Sequence, residues 1–251
     1  MLTAGVDLAA QSKGTALAVI DWRDAAATLV ELHLGVEDAQ IVESARRVAK
    51  VGIDCAFGWP DEFVRFVQAH ASGGSDTSSV DGGMEWRRTL AFRETDRDVR
   101  RRAGRWPLSV STDRLGLTAM RCAGLLARIS EAGMPVDRAG SGRVVEVYPG
   151  ASLRMWGFMT TGYRTDAAAR QRLLVSIQEQ APWLDVGDFA TAMVASADAF
   201  DAVIAALSAR DATHATSPLP PAEHRERAAR EGWVLLPTGP ISELIRDTPA
   251  D

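Results

Sequence analysis

Cysteine is nearly absent: the 251 residues hold two, Cys55 and Cys122. They are far apart and form no CxxC pair, which excludes a disulfide framework and a zinc knuckle; both read as small buried hydrophobes. Histidine is scarce too. His33, His70, His214 and His224 show no ligand spacing and are assigned no catalytic role, and Ser109 and Ser111 lack the His/Asp pairing of a serine hydrolase. No window approaches the roughly 18 apolar residues of a membrane span. The opening MLTAGVDLAA has neither a basic leader nor a long apolar run, so a cytoplasmic protein is expected. Positive charge is also not in excess: 28 Lys and Arg against 33 Asp and Glu give a formal net charge of -5. That excludes a chain that coats nucleic acid through its overall charge, and any polynucleotide contact must come from a local patch.

What is present is a globular composition, 46% hydrophobic and 24% charged, with length enough for one large domain over residues 1–251. Leu2 to Ala9 is an apolar strand interrupted only by Asp7. Thr15 to Ile20 and Ala27 to Leu34 continue it as an antiparallel meander, with Trp22 to Ala26 between them. Val36 to Lys50 has helical spacing and leads into the strand Val51 to Ala56, which again carries one acid, Asp54; such a strand-helix-strand crossover implies parallel pairing. From about residue 58 to 112 the pattern loosens into the stretch SGGSDTSSVDGG and an arginine-dense segment, read as an insertion or flap. Asp113 to Glu131 is helical, Arg143 to Tyr148 is a strand carrying Glu146, and Asp166 to Gln180 is helical. Phe189 to Arg210 reads as one long alanine-rich helix containing Asp198 and Asp201. Gly232 to Leu236 reads as a final short strand. Trp59-Pro60 and Tyr148-Pro149 are rigid strand exits.

The recurrence of one carboxylate per apolar strand (Asp7, Asp54, Glu146) requires a cause, because a buried unpaired carboxylate costs several kcal/mol. Asp198 and Asp201 are spaced i, i+3, which places them on one helical face where they repel unless something positive lies between them. A hard divalent cation, Mg2+ or Mn2+, held by Asp7, Asp54, Asp198 and Asp201 satisfies all of them, and such sites activate water for phosphodiester chemistry. Taken singly, Asp54 and Glu146 are as often strand-end carboxylates, and an i, i+3 pair is usually a solvated helix face. Their joint arrangement carries the reading.

The succession GVDLA (Gly5 to Ala9), GIDCAFGWP (Gly52 to Pro60), FRETD (Phe92 to Asp96), EVYPGA (Glu146 to Ala151), DAFDAVIAAL (Asp198 to Leu207) and EGWVLLP (Glu231 to Pro237) resembles the domain-of-unknown-function 429 family, a family of predicted ribonuclease H-like nucleases. ADAFDAVIAAL (Ala197 to Leu207) is similar to the DxxD helix of RuvC-type resolvases. The resemblance runs along the whole chain. It implies an α/β ribonuclease H-like fold: a mixed five-stranded sheet flanked by helices, its first and fourth strands adjacent so that Asp7 and Asp54 converge, with Glu146 on the neighbouring strand. It further implies that Asp7 is the bridging metal ligand and that the helix bearing Asp198 and Asp201 completes the set, giving Asp7, Asp54, Asp198, Asp201 and Glu146 as the catalytic candidates.

The one strongly basic stretch, Arg87 to Arg105 between Trp86 and Trp106, is the candidate nucleic-acid contact, since guanidinium groups bind phosphate in a fork and indoles stack on bases. The alternative is a solvated helix whose arginines pair with Glu94, Asp96 and Asp98 or with the acidic centre itself. Arg93 and Asp96 are the favoured substrate-binding residues there. Lys13, in the turn Gln11-Ser12-Lys13-Gly14 after the first strand, is a further candidate, although no full P-loop is present. The expected function is a metal-dependent nuclease. The alternatives are a nucleotide-handling enzyme of the actin and sugar-kinase type, which needs a second such domain, and a non-catalytic nucleic-acid-binding module.

Overall fold

The structure is a computed structural model that describes residues 1–73, 82–214 and 219–246. Strand β1 (Leu2–Asp7) is buried from Thr3 onward, as an apolar run covered on both faces must be. It pairs antiparallel with β2 (Ala16–Arg23), which pairs antiparallel with β3 (Ala26–Leu34). Helix α1 (Asp38–Arg47) then crosses to β4 (Lys50–Asp54), which lies parallel to β1 and aligns Gly5 with Gly52 and Asp7 with Asp54. Strand β5 (Val144–Glu146) adds parallel to β4, and β6 (Leu184–Asp185) parallel to β3. The order is β5-β4-β1-β2-β3-β6.

Alternation along β1 divides the core. Ala4 and Val6, with Leu17, Val19, Val51 and Ile53, pack under α1 and α5 (Gly116–Glu131) through Ile41, Cys122, Leu125 and Ile129. Thr3 and Gly5 face the opposite layer, built on α9 (Ala197–Asp211) with α6 (Pro149–Met155), α7 (Ala167–Gln180) and α8 (Ala190–Ala195). Helix α9 is buried at every residue from Ala199 to Asp211, which explains an apolar pattern with no polar stripe. Thr3 Oγ1 donates to the Ala206 carbonyl at 3.0 Å. An approach this close needs glycine beneath it: a Cβ on Gly5 would overlap the Ala202 carbonyl oxygen and the Ala206 amide nitrogen, and one on Gly52 would lie 2.5 Å from the Ala205 carbonyl oxygen.

Several expectations are corrected. The sheet has six strands, not five, because the two-residue β6 joins the far edge of the meander. The hairpin is tighter than expected: Trp22, Arg23 and Ala26 are in strands, and Asp24, at φ +50°, makes the turn. The expected flap contains helices α2 (Asp61–Ala71), α3 (Gly83–Ala91) and α4 (Glu94–Ala103); residues 74–81 of its Gly/Ser-rich stretch lie outside the described residues. The expected long helix from Phe189 breaks at Ser196, which adopts extended φ/ψ so that its side chain can accept from the Ala199 amide and start α9 afresh. The strand expected to run to Tyr148 ends at Glu146, and Pro149 opens α6 as its first residue. Gly232 to Leu236 follows α10 (Arg225–Glu231) and makes only a single bridge, Glu146 with Val234. Among the described residues no helix is long and apolar enough to cross a membrane.

Candidate functional site

Asp7 ends β1 and Asp54 ends β4, side by side in parallel register. Their common face is the one that α9 covers, and Asp201, in the second turn of that helix, comes down onto them. Asp7 is 7% exposed, Asp201 is 0% exposed and Asp54 is half-buried. Burial, then the charges of Asp54 and Asp201, raises the Asp7 carboxyl well above its ordinary range. Burial and Asp201 push Asp54 up to about 8. Asp201 sits at about 6, raised by burial and held back by Arg164 and the Tyr163 hydroxyl. Asp198 is half-buried in the first turn of α9, near enough to raise both Asp7 and Asp201. The N-terminal end of α9 favours negative charge there but does not cancel it.

The positive group among these acids is Arg164, in the loop between α6 and α7. Its Nη1 pairs with Asp201 Oδ2 while its side chain remains 52% exposed. Its charge lowers Asp7, Asp54 and Asp201 together. Asp201 Oδ1 is buried with no hydrogen-bond partner among the described residues. Sequence reasoning missed Arg164 entirely: a single arginine in a polar loop carries no local signal, and only the packing of that loop against α9 identifies it. Asp7 and Asp54 line a cleft of ≈ 630 Å³ whose walls include Trp106, Arg114, Tyr148, Arg154 and Arg164.

Glu146 lines the same cleft and its charge helps to raise Asp54, but its carboxylate is tied to other partners. Its register partner on β4 is Ile53, not Asp54, and in a sheet a one-residue offset sends a side chain to the opposite face. There it receives a two-pronged bond from Arg93, Nη1 to Oε2 at 2.9 Å and Nη2 to Oε1 at 2.7 Å, and a further bond from the Phe57 amide at 3.0 Å. Burial still leaves its carboxyl raised. Arg93 also bonds both oxygens of Asp96 and the Glu231 carbonyl. All five of its N–H donors are thereby engaged, so Arg93, though it and Asp96 line the cleft, has no donor left for substrate. Glu231, another residue not singled out from the sequence, accepts from the Asp61 and Glu94 amides at 2.7 and 2.9 Å, the first residues of α2 and α4. FRETD, EVYPGA and EGWVLLP therefore meet in a joint that fastens the inserted helices to the sheet edge.

Lys13 is exposed in the turn after β1 and is not among the cleft-lining residues. That turn is braced from behind by Arg121, which bonds the Ala9 carbonyl and Thr15 Oγ1. Most of the arginine segment is paired within its own helices: Arg88 with Glu85, Arg97 with Glu94, and Arg101 and Arg102 with Asp98. Arg105, just beyond α4, lines the cleft. Ser109 is a turn former, its Oγ bonded to the Ala91 carbonyl and to the Ser111 and Thr112 amides. Both cysteines are free and buried.

Among the described residues no three His, Cys, Asp or Glu side chains are drawn into a ready-made cation cage. Asp7, Asp54 and Asp201 nonetheless bring carboxyl oxygens from three elements, one of them buried and unpartnered on Asp201, and carboxyl oxygen is the donor type that a hard divalent ion takes. Nothing among the curated proteins or the solved structures matches the chain significantly. A family model does, over residues 5–225, and its description is Protein of unknown function (DUF429). That span covers both aspartates, Arg93 and Glu146 of the joint, and α9, and the chain belongs to the DUF429 family.

Proposed function

We propose that the chain is a divalent-metal-dependent nuclease with a ribonuclease H-like sheet. The observation that carries this reading is the meeting of Asp7 and Asp54 at the floor of one cleft with Asp201 buried beside them, each carboxyl raised by burial and by its neighbours. Asp7, Asp54 and Asp201 would hold Mg2+ or Mn2+, with Asp198 at the margin. The ion would supply Lewis-acid polarisation of a phosphodiester and lower the barrier to attack by water. Before loading, Arg164 neutralises part of the cluster. Its half-exposed guanidinium is long enough to leave Asp201 and meet the phosphate instead, a role for which the fork of N–H donors is suited. Tyr163 and Ser196 orient the acidic end of α9, the first against Asp201 and the second as its cap.

The test is cleavage of single- and double-stranded DNA and RNA with Mn2+. Wild-type protein is expected to cut at least one of them, and Asp7→Asn to lower the rate by about 10³-fold or more while the circular dichroism spectrum is unchanged, since electrostatic and metal contributions of this kind span several kcal/mol. A wild-type protein that cuts nothing, or an equally active Asp7→Asn, would exclude the nuclease reading. One observation favours a second reading: the Arg164–Asp201 pair supplies a protein cation where a metal would go. A non-catalytic nucleic-acid-binding module predicts binding without cleavage in the same assay.

A further inference from the structure

We infer that the cleft seats one unstacked nucleotide of a single strand, its base on Trp106 and its phosphate among Arg105, Arg114 and Arg154, an inference that rests on the floor being a phosphodiester site. The cleft separates charge by depth. Its floor is acidic, through Asp7 and Asp54, and its walls are basic. Arg105 and Arg114 are exposed, and neither has a carboxylate or hydrogen-bond partner among the described residues. Arg154 uses only Nε, on the Ala103 carbonyl at 3.0 Å, so its two Nη groups stay available for an anion. This contrasts with Arg88, Arg97 and Arg101, each tied to a carboxylate one turn away. Arginines left without acids beside an acidic floor attract a ligand that brings its own negative charge.

Trp106 supplies the other half of the recognition. One side of its indole is covered by Phe92, with ring centroids 4.3 Å apart, yet the residue is 42% exposed at the cleft. Phe92 thus props a bare aromatic face. Such a face binds a base only if the base offers its own, and in a duplex both faces are already stacked. The volume points the same way: ≈ 630 Å³ is that of a small-molecule pocket, and the carboxylates at its floor are reached past exposed walls. A stiff duplex cannot bend a phosphate down to them, whereas a single strand can.

The experiment is fluorescence anisotropy in EDTA with the full chain, wild type and Asp7→Asn, the latter uncharged at that position at every pH. The probes are a labelled single-stranded oligonucleotide and its blunt duplex. The single strand is expected to bind at least about tenfold tighter than the duplex. Trp106→Ala should weaken it about 5- to 150-fold, the range of one base–aromatic stack, with Trp106→Phe recovering part of the loss. The double variant Arg105→Gln/Arg114→Gln should weaken binding and reduce the salt slope, by about 0.7 for each phosphate no longer neutralised, whereas Arg88→Gln should bind as wild type. Equal affinity for duplex and single strand, or unchanged binding by both cleft variants, would overturn the proposal. Intact single-strand binding with no cleavage in Mn2+ would instead sink the nuclease reading and leave this one standing.

Discussion

Asp54 shows how far a folded environment can move one carboxyl. Its ordinary value is 3.8 and in the fold it reaches about 8, so between those limits the native state keeps a proton that the unfolded chain has released. Stability from this group is fully present below pH 3.8 and is lost as pH rises through 8; Asp201, at about 6, acts in the same sense over a narrower window. The stability of metal-free wild type minus that of Asp54→Asn is therefore expected to fall steadily from pH 4 to pH 8 in urea titrations with EDTA. A difference that rises with pH would contradict the placement of Asp54 beside Asp7 and Asp201. Arg164 gives the complementary experiment. Arg164→Gln removes the cation that pairs with the wholly buried Asp201, and a pair with one half-exposed partner is worth about 1–2 kcal/mol. Its metal-free Tm should drop, and added Mn2+ should raise that Tm by more than it raises the wild type's, because the ion no longer competes with a guanidinium. An equal or smaller rise would show that Arg164 does not occupy the ion's place.

The elements that hold these residues are positioned by backbone proximity more than by side-chain packing. Gly5 and Gly52 are register partners on adjacent strands, each two residues before an aspartate on the same face, and together they make a bare strip on which the alanine side of α9 rests. The pattern Gly-x-Asp in both strands, with alanines at 202, 205 and 206, is thus one device: it lets the helix approach closely enough for Asp201 to reach Asp7. Gly5→Ala sets a methyl against two backbone atoms, and backbone cannot rotate away as a side chain can. A loss of about 3 kcal/mol or more is expected in urea denaturation, with Mn2+ binding weakened in whatever remains folded; a neutral substitution would mean that α9 sits farther out. The break at Ser196 belongs to the same device, since an unbroken helix from Phe189 would not begin afresh beside the strand ends or gain the cap that orients its first turn.

For the molecule as a whole, formal charge misleads in both directions. The chain is net acidic, yet its acid excess is partly neutralised at the cleft by bound protons and by Arg164, while the free arginines gather at the same opening. Metal uptake should therefore expel protons: the apparent Mn2+ affinity is expected to climb from pH 6 to pH 8, by up to about tenfold per unit for each proton displaced, with calorimetric heats that depend on the buffer's ionisation enthalpy. An affinity independent of pH would mean that the carboxyls bearing protons are not the ligands. The sequence by itself determined the meander, the crossover that makes β1 and β4 parallel, and the candidacy of Asp7, Asp54 and Asp201, because a charged residue alone in an apolar run is visible without knowing what lies beside it. It could not separate Glu146 from that set: the parity of β5 against β4, Glu146 opposite Ile53, is decided only when the strands dock. Nor could it show that Arg93 reaches Glu146 in a buried joint or that Arg164 stands among the acids. Those interactions join residues tens of positions apart, and the physical reason is the same in each case: local sequence sets which face of an element a side chain takes, whereas register and helix approach set what that face meets.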